Sequence, residues 1–160
     1  MIEFFHRNAV NSAPEKALFF GMPEFNQSLT WSQVWALSQS VARKLQAKNF
    51  QSGDRIGILS PASWHWEIAQ LGTFLAGGVV VGLDPHDQLE SYRQILIQTK
   101  LKALFIENSA LKNKFLPLEK EFGVQILDMN FENDNLDTYK NQSLEASWPK
   151  PEAPAIIIFT

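Results

Sequence analysis

The chain has 160 residues, 45% of them hydrophobic, with 17 acidic against 14 basic side chains and no cysteine. A domain of this length buries roughly 70% of the surface its unfolded chain exposes, so it needs neither disulfide nor metal to hold a core. The lack of cysteine excludes disulfide scaffolds, thiolate zinc sites and a cysteine nucleophile, and a formal charge of −3 offers no basic stripe for nucleic acid.

The first ten residues, MIEFFHRNAV, do not place an apolar run behind a basic one, so no secretory signal is expected. No stretch reaches the roughly 18 consecutive apolar residues that a bilayer span requires. The balance fits a cytoplasmic protein. Five Trp and twelve Phe are read as core rather than as a ligand platform.

Taken in chain order, the apolar patch at residues 17–20, the polar stretch 21–28 and Leu29 predict a short strand pair or extended lead-in. Thr30 and Gln33 stand at capping-box spacing. Trp31, Val34, Leu37, Val41 and Leu45 then recur at helical intervals, and Asn49 and Gly53 supply residues that tolerate left-handed backbone at the stop. Residues 55–59 read as a buried strand bounded by Ser60 and Pro61. The next helix carries its stripe on Trp64, Ile68, Leu71 and Leu75, with Ser60 or Ser63 as cap and Gly77-Gly78 as stop. Residues 79–83, β-branched with no polar alternation, predict a strand covered on both faces.

The alternation continues with a helix through Leu89, Tyr92, Ile95, Leu96 and Thr99, a strand at 103–106, a shorter helix interrupted by Pro117, and a strand at 124–127. Residues 128–154 read as a loop-rich excursion, and 155–160 as a fully apolar strand. Strands separated by helices need crossover connections, so the expected fold is α/β: one domain over residues 1–160 with a mainly parallel sheet and helices on both faces. Ligands of such sheets sit beyond the carboxyl ends of the strands.

No side-chain pattern identifies chemistry. His6, His65 and His86 have no i, i+4 partner, so no metal site is expected; His65 could reach a ligand at a strand end but reads first as a half-exposed helical histidine. Gly77, Gly78 and Gly82 follow a helix and precede a strand, the reverse of the order that aims amides at phosphate, and fit a helix stop with close packing. Ser60, Ser63 and Glu67 form no recognisable nucleophile and base, capping being the better account. The carboxylates at 119–121 and 132–137 are solvated runs, not a placed acid/base pair.

Four segments in order do carry a resemblance: Pro14-Glu15-Lys16-Ala17-Leu18, Leu29-Thr30-Trp31-Ser32-Gln33, Gly53-Asp54-Arg55-Ile56-Gly57-Ile58 and residues 75–85, LAGGVVVGLDP. Together they resemble the amino-terminal part of the AMP-forming adenylating enzymes, the superfamily of acyl-CoA synthetases, luciferases and peptide-synthetase adenylation domains. The likeness runs from about Pro14 to Thr160, and the Pro-rich approach to Ala155-Ile156-Ile157-Ile158-Phe159-Thr160 resembles the strand that leads into the family's phosphate loop, written SGTTGxPKG. One departure is Gly82, where many members have proline.

The resemblance implies the amino-terminal subdomain of the adenylate-forming fold within an ATP-dependent carboxylic acid ligase. Such an enzyme uses ATP and Mg²⁺ to make an acyl-adenylate and pyrophosphate, then passes the acyl group to CoA. An acyl-CoA synthetase is the preferred branch; a peptide-synthetase adenylation domain or a fatty-acyl-AMP ligase is the alternative, and a non-catalytic α/β binding module is the alternative of another class. Thr160 is the one position carried over as nucleotide-contacting, as the start of the phosphate loop, and no catalytic or metal-binding residue is assigned. With the loop and later motifs outside these residues, the chain alone is expected to be inactive and to hold no cofactor, its partner being a small carboxylic acid. An apolar strand on a sheet edge also predicts dimerisation.

Overall fold

The computed structural model describes residues 2–20, 27–131 and 154–159. Two antiparallel strands, β1 (Lys16–Phe20) and β2 (Gln27–Thr30), form a small separate ladder with an irregularity between Lys16 and Leu18. They deliver the chain to helix α2 (Trp31–Ala47). Its start is fixed by the expected capping box: Gln33 N donates to Thr30 Oγ1, and Thr30 N donates to Gln33 Oε1 at 2.8 Å. Asn49 (φ 63°) and Gly53 (φ 86°) take the left-handed backbone expected of them.

The main sheet holds β3 (Arg55–Leu59), β4 (Val79–Leu83), β5 (Ala103–Ile106), β6 (Gln125–Asp128) and β7 (Ile156–Ile157), all paired in parallel in the order β6-β5-β3-β4-β7. Helices α3 (Trp64–Leu75), α4 (Leu89–Thr99) and α5 (Ser109–Phe122) connect its strands. Period-2 alternation divides the strand side chains between two cores. Ile56, Ile58, Val80, Ala103 and Phe105 pack with Val34, Val41, Leu45, Ile68 and Phe74 of α2 and α3. Leu59, Val81, Leu83, Leu104 and Ile106 pack with Tyr92, Leu96, Phe115 and Leu118 of α4 and α5. Helices therefore cover both faces, as the unalternating apolar runs require.

Three features differ from the sequence reading. Helix α1 (Ile2–Asn11) was not expected, because Phe4 and Val10 on its exposed side blur the apolar stripe; it docks through Ile2 and through Phe5, whose ring lies 5.6 Å from that of Trp31. Helix α5 runs on without interruption through Pro117. The carbonyl that loses its donor belongs to exposed Asn113, where water can replace the bond, and Phe115 and Leu118 anchor the helix on either side of the proline. Finally, the strand expected over 155–160 is only two residues long. Among the described strands it has one neighbour, β4, and Ile156 is 39% and Ile158 69% exposed. The excursion expected over 128–154 lies almost wholly outside the described residues.

Candidate active site

Chain order and sheet order reverse direction around β3. From β3 the chain passes through α3 to β4 on one side, and from β4 it crosses back through α4 to β5 on the other. Helix α3 thus rises on one face while α4 and α5 rise on the opposite face, leaving crevices beside the carboxyl end of β3, where open α/β sheets bind ligands. The two crevices differ.

The crevice between β3 and β5 is closed by side chains. Ser60, 4% exposed, follows β3, and its hydroxyl reaches Glu107 Oε2 at 3.0 Å and the Pro61 carbonyl at 2.8 Å. Glu107 follows β5, and His65 Nδ1 stands 3.8 Å from its Oε1. Serine, carboxylate and histidine are together, but the carboxylate stands in the middle. With no imidazole to take its proton, Ser60 is not an activated nucleophile. Ser63 is the helix cap, accepting from Trp66 N at 3.3 Å, which resolves the choice between Ser60 and Ser63.

The crevice between β3 and β4 is open. A cleft of about 510 Å³ lies there, with Ser60, Pro61 and Ala62 on one wall, Asp84, Pro85 and His86 on the other, and Trp66, Ile156, Ile158 and Phe159 adding apolar surface. Gly82 keeps the floor low: a Cβ there would meet only Trp66 Cζ2, at 3.9 Å. Val80 N donates to Ala155 O, so strand alternation also turns the Gly82 N–H toward β7, a donor that proline in its place would lack.

The three histidines are far apart in role. His6 tilts against Trp35 with ring centroids 5.0 Å apart, His65 stacks on Trp64 at 3.7 Å, and His86 lines the cleft. Among the described residues no group of three or more His, Asp or Glu could hold a metal, and the cleft walls carry no Lys or Arg for phosphate. These residues do not by themselves fit ATP or Mg²⁺. Gly77 (φ 77°) ends α3, and a Cβ on Gly78 would come within 2.9 Å of Thr73 Cγ2, so these two glycines serve the stop and the packing. Glu121 pairs with Arg93 at 2.8 Å on the surface. Thr160 lies outside the described residues; the neighbouring Phe159 lines the cleft. Glu107 escaped the sequence reading because only the β3·β5 register brings it to Ser60, 47 positions away.

The family model for AMP-binding enzymes matches residues 5–160. The chain belongs to the AMP-binding enzyme family. Among curated relatives, a long-chain-fatty-acid–CoA ligase of Rattus norvegicus is 32% identical over 91 residues, covering 57% of this chain and 14% of its own length. Tyrocidine synthase 3 of Brevibacillus parabrevis is 26% identical over 158 residues, covering 99% of the chain and 2% of the synthase. The chain thus spans only a small fraction of the AMP-binding relatives it matches. The fold agrees with the crystal structure of a long-chain-fatty-acid-CoA ligase from Archaeoglobus fulgidus, at TM-score 0.81 and 19% identity over 99% of this chain and 34% of that one. An anthranilate CoA ligase in complex with anthranoyl-AMP superposes at TM-score 0.78 and 21% identity, over 99% of this chain and 31% of its own. The mainly parallel sheet with helices on both faces is the amino-terminal architecture of AMP-binding enzymes.

Proposed function

We propose that the protein bearing these residues is an ATP-dependent, AMP-forming carboxylic acid ligase, and that its preferred form is an acyl-CoA synthetase. The family match over residues 5–160 carries this reading. In that reaction a carboxylate displaces pyrophosphate from ATP to give an acyl-adenylate, and the CoA thiol then displaces AMP; Mg²⁺ supports the first step. The described residues contribute a scaffold. Their parallel sheet fixes the carboxyl ends of β3, β4 and β7, and the open cleft lies beside the strand that runs toward Thr160, the position proposed to open the phosphate loop.

Among the described residues the cleft lining carries no cationic side chain, so these residues supply no charged stabilisation for a transferring phosphoryl group. The 160 residues are proposed to be inactive by themselves. The test is ATP–pyrophosphate exchange with fatty, aryl and amino acids, on this chain and on a version extended through the residues that follow it in the gene. Exchange is expected only from the extended protein. Exchange by the 160-residue chain would overturn the inactivity, and none from the extended protein with any acid would overturn the ligase reading in favour of a non-catalytic binding module.

A second reading, a peptide-synthetase adenylation domain, is favoured by the match to tyrocidine synthase 3 over 99% of the chain. Transfer to a carrier protein instead of CoA would select it, or the fatty-acyl-AMP ligase that likewise does not use CoA. The cysteine-free, mildly acidic composition supports a cytoplasmic site of action, testable by cell fractionation. No helix among the described residues is long and apolar enough to cross a membrane. Exposed Ile156 on β7 and Ile158 just after it support self-association through this edge. Sedimentation should show dimers that Ile158→Lys dissociates, and a concentration-independent monomer would end that proposal.

A further inference from the structure

The turn that forms one wall of the cleft is held from behind by two helices. Tyr92 in α4 is fully buried among apolar side chains, Phe115 included, and its hydroxyl donates to the Asp84 carbonyl at 2.7 Å. Asp84 is the first residue after β4. Its carbonyl also accepts from Asp87 N at 3.1 Å, and its Oδ1 accepts from His86 N at 2.8 Å. From α5, Lys114 Nζ donates to the Asp87 carbonyl and stands 5.1 Å from the centre of the Tyr92 ring.

We infer that Tyr92, assisted by Lys114, is a positioning residue: it fixes the Asp84–Asp87 turn and thereby the place of His86 on the cleft wall. Packing alone does not need the oxygen. A phenylalanine or leucine would fill the same core, so the hydroxyl and the ammonium stand out as the groups that reach past the core to the turn. Neither enters the cleft, which leaves Asp84, Pro85 and His86 to face it. Burial and the charges of Asp87 and Asp84 push the Tyr92 phenol up to about 12, so the hydroxyl remains a donor at neutral pH. The clamp stands on these contacts alone; only its use in setting the cleft for a ligand rests on the ligase reading.

Amide hydrogen exchange of the whole chain tests it by reading the turn directly. In Tyr92→Phe, the His86 and Asp87 amides should exchange about 5- to 10-fold faster, the loss of one hydrogen bond, while amides of β3 keep their rates. Lys114→Met should accelerate the same two amides and restore neither. Unchanged turn amides in both variants, or an equal acceleration of every amide, would overturn the inference. If Tyr92→Phe does not fold, the Lys114→Met turn amides decide alone. Pyrophosphate exchange plays no part in this readout, so failure here is distinct from failure of the ligase reading.

Discussion

Ser60 Oγ lies 3.0 Å from Glu107 Oε2, tying together two strand ends that are 47 positions apart in sequence. The bond crosses from β3 to β5 and closes one of the two crevices at the carboxyl edge of the sheet. Ser60 is buried, so removing its partner leaves the hydroxyl with the neighbouring Pro61 carbonyl at 2.8 Å and a long contact to Ser63 Oγ at 3.5 Å. In a double-mutant cycle of Ser60→Ala and Glu107→Ala, urea unfolding should show a coupling of about 0.5–1.5 kcal/mol. Additive single effects would mean that the two side chains do not meet.

Close packing of α2 on α3 is set by Gly72. A Cβ built there would stand 2.4 Å from Val41 Cβ and 2.9 Å from the Ser38 carbonyl, and neither is the flexible end of a side chain. Alanine raises helix propensity by about 1 kcal/mol, whereas overpacking costs about 1–3 kcal/mol, so the clash should win. Gly72→Ala is expected to lower the urea midpoint. A stabilised variant would show that the helices stand farther apart.

Thr30 caps the longest helix reciprocally with Gln33. Thr30→Ala should cost about 1 kcal/mol and Thr30→Ser almost none, since serine keeps the accepting oxygen. Equal losses from both variants would point to the threonine methyl instead of the cap.

Burial raises the Glu67 carboxyl above its ordinary value of 4.5. A raised folded-state pKa means that the native state holds the proton more tightly than the unfolded chain. The resulting stabilisation is complete below 4.5 and disappears as pH rises through the folded-state value. Glu67→Gln should therefore gain stability relative to the parent as pH is raised from 4 to 7, by chemical denaturation at each pH. A constant difference would place the carboxylate in water.

The same sign governs Tyr92 at the alkaline end. Its phenol is raised from 10.0 to about 12, so its contribution is intact below 10 and lost on passing 12. The chain has two tyrosines, and Tyr139→Phe leaves Tyr92 as the sole phenol. Its absorbance titration should be centred near 12 while the fold survives, and a midpoint near 10 in folded protein would expose the hydroxyl to solvent.

Local signals in the sequence were enough for most of the fold. The capping box at Thr30, the left-handed residues Asn49 and Gly53, and the apolar runs at β3 and β4 act over a few neighbouring residues, and each fixed its element without tertiary help. Element ends were less legible where packing decides them. Phe115 and Leu118 carry α5 through Pro117, and contact with Trp31 gives α1 the docking its blurred stripe did not announce. The family was legible because its motifs are local in sequence. The site was not, because a carboxylate, a serine and a tyrosine become neighbours only through parallel register and crossover direction. By itself the sequence determined the alternation of strands and helices, for which side-chain periodicity and caps suffice. The tertiary structure alone decided that the crevice beside β5 is closed by Glu107 and the one beside β4 is left open, because strand order sets which chain ends meet.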